Sequence, residues 1–381
     1  MTWWELDAWP QPVRWDLENS GYQRAEDLMY WPAPPTLYQQ QVKNKLTTRW
    51  AAHDHYDAPM AVRQVNPAFG NISAGLFSTA DLLTEGRLSP DPAAGKLTVN
   101  LNHAVVKIET AGHTVTGVTA QDLLAGKART YKAKQVVLAA GTVESAKLAK
   151  LSALKDPAGL VGTGFTDHPV LFTHFAIPAG QPWHRFDSCS KTMSRHKQAS
   201  ATAHSYNILL ELGADLNHGR YLDPETLAAH RRLKGEAMFC EVVFLFNAPL
   251  MNGNRVDHAG PSFVKAKTTM AKSPAADAFW NEANDLKNEI IAEFGGIAIA
   301  NEGISLKPGG LGGVAHEVGT LRMGDGATAN SSVVDANLQY IGYDNLHVCD
   351  LSVFPTSPAA NPTLTLAALA FRLADRLKGL I

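Results

Sequence analysis

The chain has 381 residues, 45% apolar and 18% charged, which supplies material for a buried core and excludes a mainly disordered protein. Its 34 basic and 36 acidic residues leave a formal net charge of −2, which argues against a nucleic-acid-binding protein, because such proteins usually carry a basic face. No run of about 18 apolar residues predicts a membrane span, and the length predicts two or three domains.

The cysteines and the N-terminus favour a reducing compartment. Cys189, Cys240 and Cys349 are far apart and odd in number, so they form neither a CxxC pair nor a disulfide framework. The first residues lack the basic head and apolar run of a signal peptide. We therefore expect a cytoplasmic location by default.

The first 170 residues predict short strands and helices. These are a helix at 16–29, strands at 97–108, 115–120 and 131–138, and a helix at 143–151. The strand at 131–138 runs through three small residues, 139–141, directly into the helix that follows. Strand, small-residue turn and helix is the order found in an α/β nucleotide-binding layer.

The rest of the chain divides into a second layer and a C-terminal return to short strands. Residues 165–305 predict strands at 170–177, 205–212 and 236–246 and a helix at 274–294. The last 75 or so residues end in a long helix from Asn361-Pro362 to about Leu380, with apolar residues at helical spacing.

Three runs near the C-terminus carry the strongest motif. They are HEVGTLRMG (316–324), VVDANLQYIGYDNLHVCDLSVFP (333–355) and ANPTLTLAALAFRLAD (360–375). Together they closely resemble the C-terminal signature of the glucose–methanol–choline (GMC) flavoprotein oxidoreductases, most of all the branch acting on sugars and polyols. Upstream, VVLAAGTVESAKLAKLS (136–152) and GLVGTGFTDHPV (159–170) are similar to that family too. The resemblance covers about 95–170 and 306–381; the remainder matches only in position and general character.

The resemblance implies oxidation of a hydroxyl to a carbonyl with FAD as the cofactor. Such a reaction needs a base for the hydroxyl proton and a hydride acceptor, and no side chain can accept hydride. By resemblance His316 is the base and Asn361 is its partner, because an amide can donate or accept without changing charge. Taken alone, His316 could be a structural histidine, and Asn361 could cap the last helix with Pro362 at its first position.

The resemblance also implies residues that contact FAD. Val106 would meet the adenine through its backbone, Ala140 and Gly141 would let the dinucleotide approach the backbone, and Asp350 would lie near the ribityl-pyrophosphate. The remaining expected contacts are Leu351, Pro362 and Thr363, the last two because the helix N-terminus would face the flavin edge that gains negative charge. Taken alone, Val106 could be a core valine, Ala140 and Gly141 could form an ordinary turn between strand and helix, and Asp350 could be a turn aspartate.

Other polar clusters carry weaker signals. His53-Asp54-His55 lacks a third metal ligand and is interpreted as a polar loop, so no metal site is expected. Asp167-His168 is interpreted as structural or cofactor-proximal. The glycine run at 309–313 is interpreted as a flexible connection, because it follows no clear strand and opens no helix.

These observations predict an α/β (α+β overall) fold of GMC type: an incomplete three-layer ββα FAD-binding domain with an inserted antiparallel-sheet substrate domain. The expected parts are a remnant of the FAD-domain and lid connection (1–94), FAD-binding elements (95–164), the substrate-binding domain (165–305) and C-terminal FAD-binding elements (306–381).

A strand followed by GxGxxG is absent, although the family opens with that unit. About 100–150 residues of family architecture are expected to be missing, judged from typical domain size. The chain would then be a truncated product, a piece of a longer protein, or a subunit whose partner chain supplies the nucleotide-binding unit. A missing N-terminus could carry an export signal.

Two functions are therefore expected to compete: an FAD-dependent oxidoreductase acting on a sugar or polyol, and a non-catalytic GMC fragment or subunit without stable FAD binding. The electron acceptor is left open among oxygen, a quinone and a cytochrome, and no nucleic-acid partner is expected.

Overall fold

The computed structural model describes residues 1, 3–29, 35–59, 61–66, 72–79, 97–185, 188–214, 237–260, 265–299, 301–310, 314–324 and 331–380. Its α-helices are α1 (Gln11–Asp16), α2 (Tyr22–Met29), α3 (Leu37–Arg49), α4 (Thr142–Leu151), α5 (Trp280–Glu293) and α6 (Thr363–Lys378). A π-helical turn, Leu17–Gly21, joins α1 to α2, and 3-10 helices lie at Glu5–Ala8, Pro274–Phe279 and Leu351–Val353.

The strands form one large sheet and several small ones. In chain order they are β1 (His53–Asp57), β2 (Val62–Asn66), β3 (Ile72–Leu76), β4 (His103–Ala111), β5 (Thr114–Asp122), β6 (Lys127–Tyr131), β7 (Val136–Leu138), β8 (Val170–Ile177), β9 (Ser190–His196), β10 (Tyr206–Leu212), β11 (Met238–Phe246), β12 (Ala248–Pro249), β13 (Arg255–His258), β14 (Ala266–Thr269), β15 (Lys307–Pro308), β16 (Leu346–Val348) and β17 (Thr356–Ser357). The large sheet is antiparallel, in the order β1-β9-β10-β11-β8-β15.

The large sheet is buried on both faces at its centre. Every residue of β10 and β11 is buried, which explains their nearly continuous apolar runs. One face packs against α3 and α5 through a core that includes Phe244 and Phe246. The opposite face carries a smaller cluster that includes Met193 and Leu209, and this face borders the candidate site. Burial of each such apolar side chain contributes roughly 1.5–3 kcal/mol before entropy is counted.

The second layer contains the strand–turn–helix unit expected from the sequence. β7 pairs in parallel with β16, so Val136 lies opposite Leu346, and α4 follows β7 through residues 139–141. β4, β5 and β6 form a three-stranded antiparallel sheet, and α4 packs against β4. The main apolar core joins this layer to the N-terminal helices and to α6.

Several predicted elements are confirmed with small shifts. The strand at 170–177 is β8, those at 205–212 and 236–246 are β10 and β11, and the helix at 143–151 is α4. The helix expected at 16–29 is helical throughout, with a π-helical turn at its start.

Three local predictions are wrong. The single strand at 131–138 is two strands, because β6 ends at Tyr131 and β7 begins only at Val136. The strand expected from residue 97 begins at His103, after Asn102 takes a left-handed conformation with φ of 58°. The segment His53-Asp54-His55 is part of β1 and pairs with β9, so it is not a loop.

The sheet also draws on distant parts of the chain. β1 and β15 belong to the large sheet although both lie outside the expected range 165–305. No helix in the described residues is long and apolar enough to cross a membrane. The described cysteines, Cys189, Cys240 and Cys349, form no disulfide bond. Of the glycine run at 309–313, residues 311–313 lie outside the described residues.

Candidate active site

His316 is held in place by an antiparallel bridge to the segment before β8. Thr166 and Val318 exchange two backbone hydrogen bonds, with N···O distances of 3.2 and 2.9 Å. His168 lies two residues after Thr166 and His316 two residues before Val318, so the bridge brings the segments of the two histidines side by side. The chain then turns at Gly319, whose φ of +95° lies in the left-handed region that favours glycine.

Asn361 reaches His316 from a loop that three hydrogen bonds fix. Asn207 Nδ2 donates to the carbonyl of Ala359 (2.6 Å), the Ala359 N–H donates to Glu5 Oε1 (2.5 Å), and His168 Nδ1 contacts the carbonyl of Pro358 (2.6 Å). The structure thus brings the two predicted catalytic residues together across 45 positions of sequence.

Within this pair, Asn361 Nδ2 lies 3.5 Å from His316 Nε2. Asn361 does not cap the last helix, because Pro362 occupies the N-cap position and no side chain caps α6. The capping alternative for Asn361 is therefore wrong, and its exposed amide is free to face the imidazole.

The environment of His316 keeps its imidazole neutral. Burial lowers the pKa of His316 to about 3, and the neighbouring His168 contributes a smaller part in the same direction. Burial also lowers the pKa of His168, which is only 3% exposed. At neutral pH both rings carry one hydrogen, so each has one donor and one acceptor nitrogen.

His168 was not singled out as functional from the sequence. Its Nε2 lies 3.0 Å from His316 Nδ1, and the two rings meet edge to face at a centroid distance of 4.9 Å. The pairing depends on the register around Thr166 and Val318, which no local pattern in either segment reveals. A signal was present only in the Asp167-His168 dipeptide of the family-like stretch.

The turn between β7 and α4 is tied to Asp350. Asp350 Oδ2 accepts from the Gly141 N–H (3.0 Å) and the Ser145 hydroxyl (2.5 Å), and Oδ1 accepts from the Ser352 N–H (2.9 Å). The structure therefore brings Asp350 to the predicted Ala140-Gly141 turn. Because these oxygens accept from the chain itself, Asp350 shapes the turn.

The same turn leads back to the histidine segment. Leu351 accepts the Gly319 N–H through its carbonyl (3.3 Å), and the hydroxyl of Thr142, the first residue of α4, donates to the carbonyl of Glu317 (2.6 Å). Hydrogen bonds of Leu351 and Thr142 thus connect the turn of three predicted cofactor residues, Ala140, Gly141 and Asp350, to the segment that carries His316.

The backbone around the turn is open, as a bound dinucleotide requires. Gly141 has φ of +87°, and no heavy atom lies within 4 Å of the position that a Cβ would occupy. Ala140 is exposed. Val106 is the extra residue of a β-bulge, because Val105 pairs with Ala120 while Lys107 pairs with Thr119. Val106 thus lies on β4, the strand against which α4 packs.

A cavity of about 690 Å³ lies at the start of α6, between that helix and the large sheet. Its walls include Tyr56, Met193, Arg195, Asn207, Asn361 and Thr363. Thr363 is exposed at the first turn of α6, whereas Pro362 is buried. A cavity of this size suits a ring system and a small substrate, and a helix N-terminus favours negative charge. Of the predicted site residues within the described ranges, Asn361 and Thr363 line this cavity, and their place at a helix N-terminus fits the ring end of a flavin.

A separate histidine cluster lies at the edge of the large sheet. The ring of His53 meets that of His196 edge to face at 5.0 Å, and the rings of His196 and His204 stack at 3.7 Å. His204 Nδ1 lies 2.5 Å from Glu282 Oε1. Among the described residues no three His, Cys, Asp or Glu side chains are arranged to hold a metal ion.

Sequence comparisons find the same two regions that carry the motifs. Two family models, both described as GMC oxidoreductase, match residues 85–170 and 305–370. The chain is 25% identical over 307 residues to 5-(hydroxymethyl)furfural oxidase of Methylovorus sp. (strain MP688), which covers 71% of this chain and 55% of that protein. It is 41% identical over 64 residues to Dehydrogenase str4 of Strobilurus tenacellus, covering 17% of this chain and 10% of the relative.

Solved structures share the architecture. Pyridoxine 4-oxidase from Mesorbium loti superposes with a TM-score of 0.51 at 20% identity, covering 72% of this chain and 57% of that one. An FAD-dependent oxidoreductase from Chaetomium thermophilum superposes with a TM-score of 0.57 at 16% identity, covering 95% and 72%. At these identities the likeness establishes the fold alone, and the fold class predicted from the sequence is confirmed. The matched regions span about half the length of the furfural oxidase.

Proposed function

Because the chain belongs to the GMC oxidoreductase family, we propose that it is an FAD-dependent enzyme that oxidises a hydroxyl group of a sugar or polyol to a carbonyl. The observation that carries this proposal is the pair formed by His316 Nε2 and Asn361 Nδ2, 3.5 Å apart. Asn361 also lines the cavity at the start of α6.

Bound FAD would supply the hydride acceptor that no side chain offers. The residues that would hold it are the backbone of Val106, the turn at Ala140 and Gly141, and the start of α6 at Pro362 and Thr363. Asp350, with Leu351 beside it, acts by fixing the turn. Its carboxylate accepts from Gly141, Ser145 and Ser352, so the backbone at the turn keeps one conformation.

His316 and Asn361 would have different roles at the substrate hydroxyl. His316 accepts the hydroxyl proton at Nε2, because burial keeps the imidazole neutral at pH 7. The Asn361 amide holds the substrate oxygen beside Nε2 by a hydrogen bond, and it does so without changing charge. Met193 and Leu209 give the cavity an apolar wall on the side of the large sheet.

The polar wall of the cavity suits a polyhydroxylated substrate. Tyr56, Arg195 and Asn207 all line it beside Asn361, and each offers a hydrogen-bonding group to a hydroxyl. Several relatives carry the name oxidase, among them the furfural oxidase and a long-chain-alcohol oxidase, so oxygen is the first electron acceptor to test.

The test begins with the purified chain and added FAD. We expect flavin absorption bands to remain with the protein after gel filtration, and to bleach anaerobically when a sugar or polyol from a small panel is added. A protein without flavin bands, even after FAD addition, would point instead to the non-catalytic alternative.

The His316→Ala variant examines the base. It should keep its FAD but reduce it about 10²–10⁴ times more slowly with the same substrate, which is the usual contribution of a general base. His258→Ala, in the exposed part of β13, is the matched control and should reduce FAD at the wild-type rate. Equal rates in both variants would remove His316 from this role.

A further inference from the structure

We propose that His168 is a positioning residue that fixes the tautomer and the orientation of His316, leaving Nε2 of His316 free to accept the substrate proton. This inference rests on the proposed function and extends it to a residue outside the expected pair. It is carried by a chain of contacts that runs from Pro358 through His168 and His316 to Asn361.

The first contact sets the tautomer of His168. A backbone carbonyl only accepts hydrogen bonds, and His168 Nδ1 lies 2.6 Å from the carbonyl oxygen of Pro358. Nδ1 therefore carries the ring hydrogen. Since the buried ring is neutral, its other nitrogen, Nε2, holds a lone pair.

The second contact fixes the tautomer of His316 in turn. His168 Nε2 lies 3.0 Å from His316 Nδ1, so a hydrogen bond forms only if His316 Nδ1 donates. The opposite tautomer of His316 would set two lone pairs against each other in a buried place, at the cost of a hydrogen bond. With its hydrogen on Nδ1, neutral His316 presents a lone pair at Nε2.

The nitrogen of His316 that holds the lone pair faces Asn361, a residue of the cavity wall. Nε2 of His316 faces the amide of Asn361 at 3.5 Å, and Asn361 lines the cavity. Histidine in water favours the other neutral tautomer, with hydrogen on Nε2, in which this nitrogen could not accept a proton. The contact with His168 therefore selects the form of His316 that can act as a base.

His168 also ties together the two segments that carry the pair. It follows Thr166, which bridges to the segment of His316, by two residues, and its side chain bonds to the loop that ends in Asn361. Only 3% of its surface is exposed, so water cannot readily replace either contact. A single imidazole thus fixes the base on one side and the Asn361 loop on the other.

The direct test reads the tautomer in the flavin-loaded protein without relying on turnover. Histidine ring nitrogens labelled with ¹⁵N give distinct long-range proton–nitrogen patterns for the two tautomers, and the His316 signals are identified by their loss in His316→Gln. At pH 7.5 we expect hydrogen on Nδ1 of His316 in the wild type. Hydrogen on Nε2 would overturn the proposal.

Two variants of similar size separate positioning from packing. His168→Gln keeps an acceptor for the hydrogen of His316 Nδ1, whereas His168→Leu removes it. We expect flavin reduction in His168→Leu to slow about 10²-fold or more, with the His316 signals moving toward the Nε2–H pattern. His168→Gln should stay within about tenfold of the wild type and keep the Nδ1–H pattern.

Flavin content and KM complete the comparison. Both should remain within about threefold of the wild type in His168→Gln. The control variants His258→Gln and His258→Leu, at an exposed residue, should change neither the rate of flavin reduction nor the ¹⁵N signals of His316. Equal losses of rate in the two His168 variants with an unchanged His316 tautomer would assign His168 a purely structural role. An Nδ1–H pattern in a protein that oxidises no alcohol would defeat the proposed function and leave the tautomer assignment intact.

Discussion

At the scale of single residues, the charge beside His316 decides whether it can act as a base. Burial lowers the pKa of His316 to about 3, so the base form persists through the neutral and mildly acidic range. The partner at 3.5 Å, Asn361, is uncharged. A neutral partner therefore leaves the low pKa in place, whereas a carboxylate there would stabilise the imidazolium.

The Asn361→Asp variant tests how a charge beside His316 affects its pKa. A negative charge next to Nε2 raises the pKa of His316, so the variant should lose flavin reduction as pH falls, at a higher pH than the wild type does. The measurement is the rate of anaerobic flavin reduction between pH 5 and 9. Asn361→Ser, which adds no charge, should retain the wild-type pH profile at a lower rate. Superimposable profiles for Asp and Ser would contradict the electrostatic account.

At the scale of elements, the turn after His316 depends on a residue without a side chain. Gly319 has φ of +95°, and a Cβ there would come within 2.5 Å of Leu250 Cδ2 and 2.7 Å of the Gly164 carbonyl oxygen. The turn connects the histidine segment to the strand-like run that contacts Leu351. Backbone conformation and close packing both require glycine at this position.

Gly319→Ala should lower the free energy of unfolding by about 3 kcal/mol, because the left-handed conformation costs about 1–2 kcal/mol and the overpacking adds a similar amount. Urea unfolding monitored by tryptophan fluorescence measures the change. Gly253→Ala is the control, since Gly253 is exposed and no atom lies within 4 Å of its Cβ position. A Gly319 variant as stable as the control would show that the turn relaxes freely.

At the scale of the whole molecule, the histidine cluster makes stability depend on pH. His53 is 8% exposed, and neither of its ring nitrogens has a hydrogen-bond partner within the described ranges. Burial, followed by the charges of His196 and other neighbouring histidines, lowers the pKa of His53 to about 4. The unfolded chain takes up the proton near pH 6.5, before the folded chain does, so stability is full above that pH and falls on acidification.

His53→Phe should remove the part of this pH dependence that comes from His53. Between pH 7 and 4.5 the wild type should lose about 2–3 kcal/mol more unfolding free energy than the variant, from the difference in pKa between the folded and unfolded states. Urea midpoints at the two pH values give the comparison, and His258→Phe on exposed β13 serves as the control. Parallel losses in the wild type and His53→Phe would exclude His53 as the source.

The sequence predicted the parts of the fold in which local pattern and tertiary structure agree. β8, β10 and β11 were predicted from apolar runs, because these strands are buried on both faces. The boundary between β6 and β7 was missed, since Lys132, Lys134 and Gln135 interrupt the strand without a glycine or proline to mark it. Edge strands such as β1 carry too little apolar character to be recognised.

The candidate site was predictable to the extent that its residues lie in contiguous motifs. His316 and Asn361 lie in two runs near the C-terminus, and Gly141 lies in a third, in the turn between β7 and α4. The pairing of His168 with His316 depends on a register between segments far apart in sequence, so no local pattern contains it. The hydrogen bonds of Asp350 to Gly141 and Ser145 also join segments far apart in sequence, so no local pattern predicts them.

The parallel pairing of β7 with β16 has a consequence for how the chain is made. Val136 cannot pair with Leu346 until all the residues between them have left the ribosome, so the strand–turn–helix unit emerges early and stays unpaired. Contacts this distant in sequence slow folding, because the loop must close before the pairing stabilises it. During that interval the unpaired, apolar β7 can be bound by chaperones and by other nascent chains. The yield of folded protein in cells would then be governed by translation rate and chaperone supply as much as by equilibrium stability.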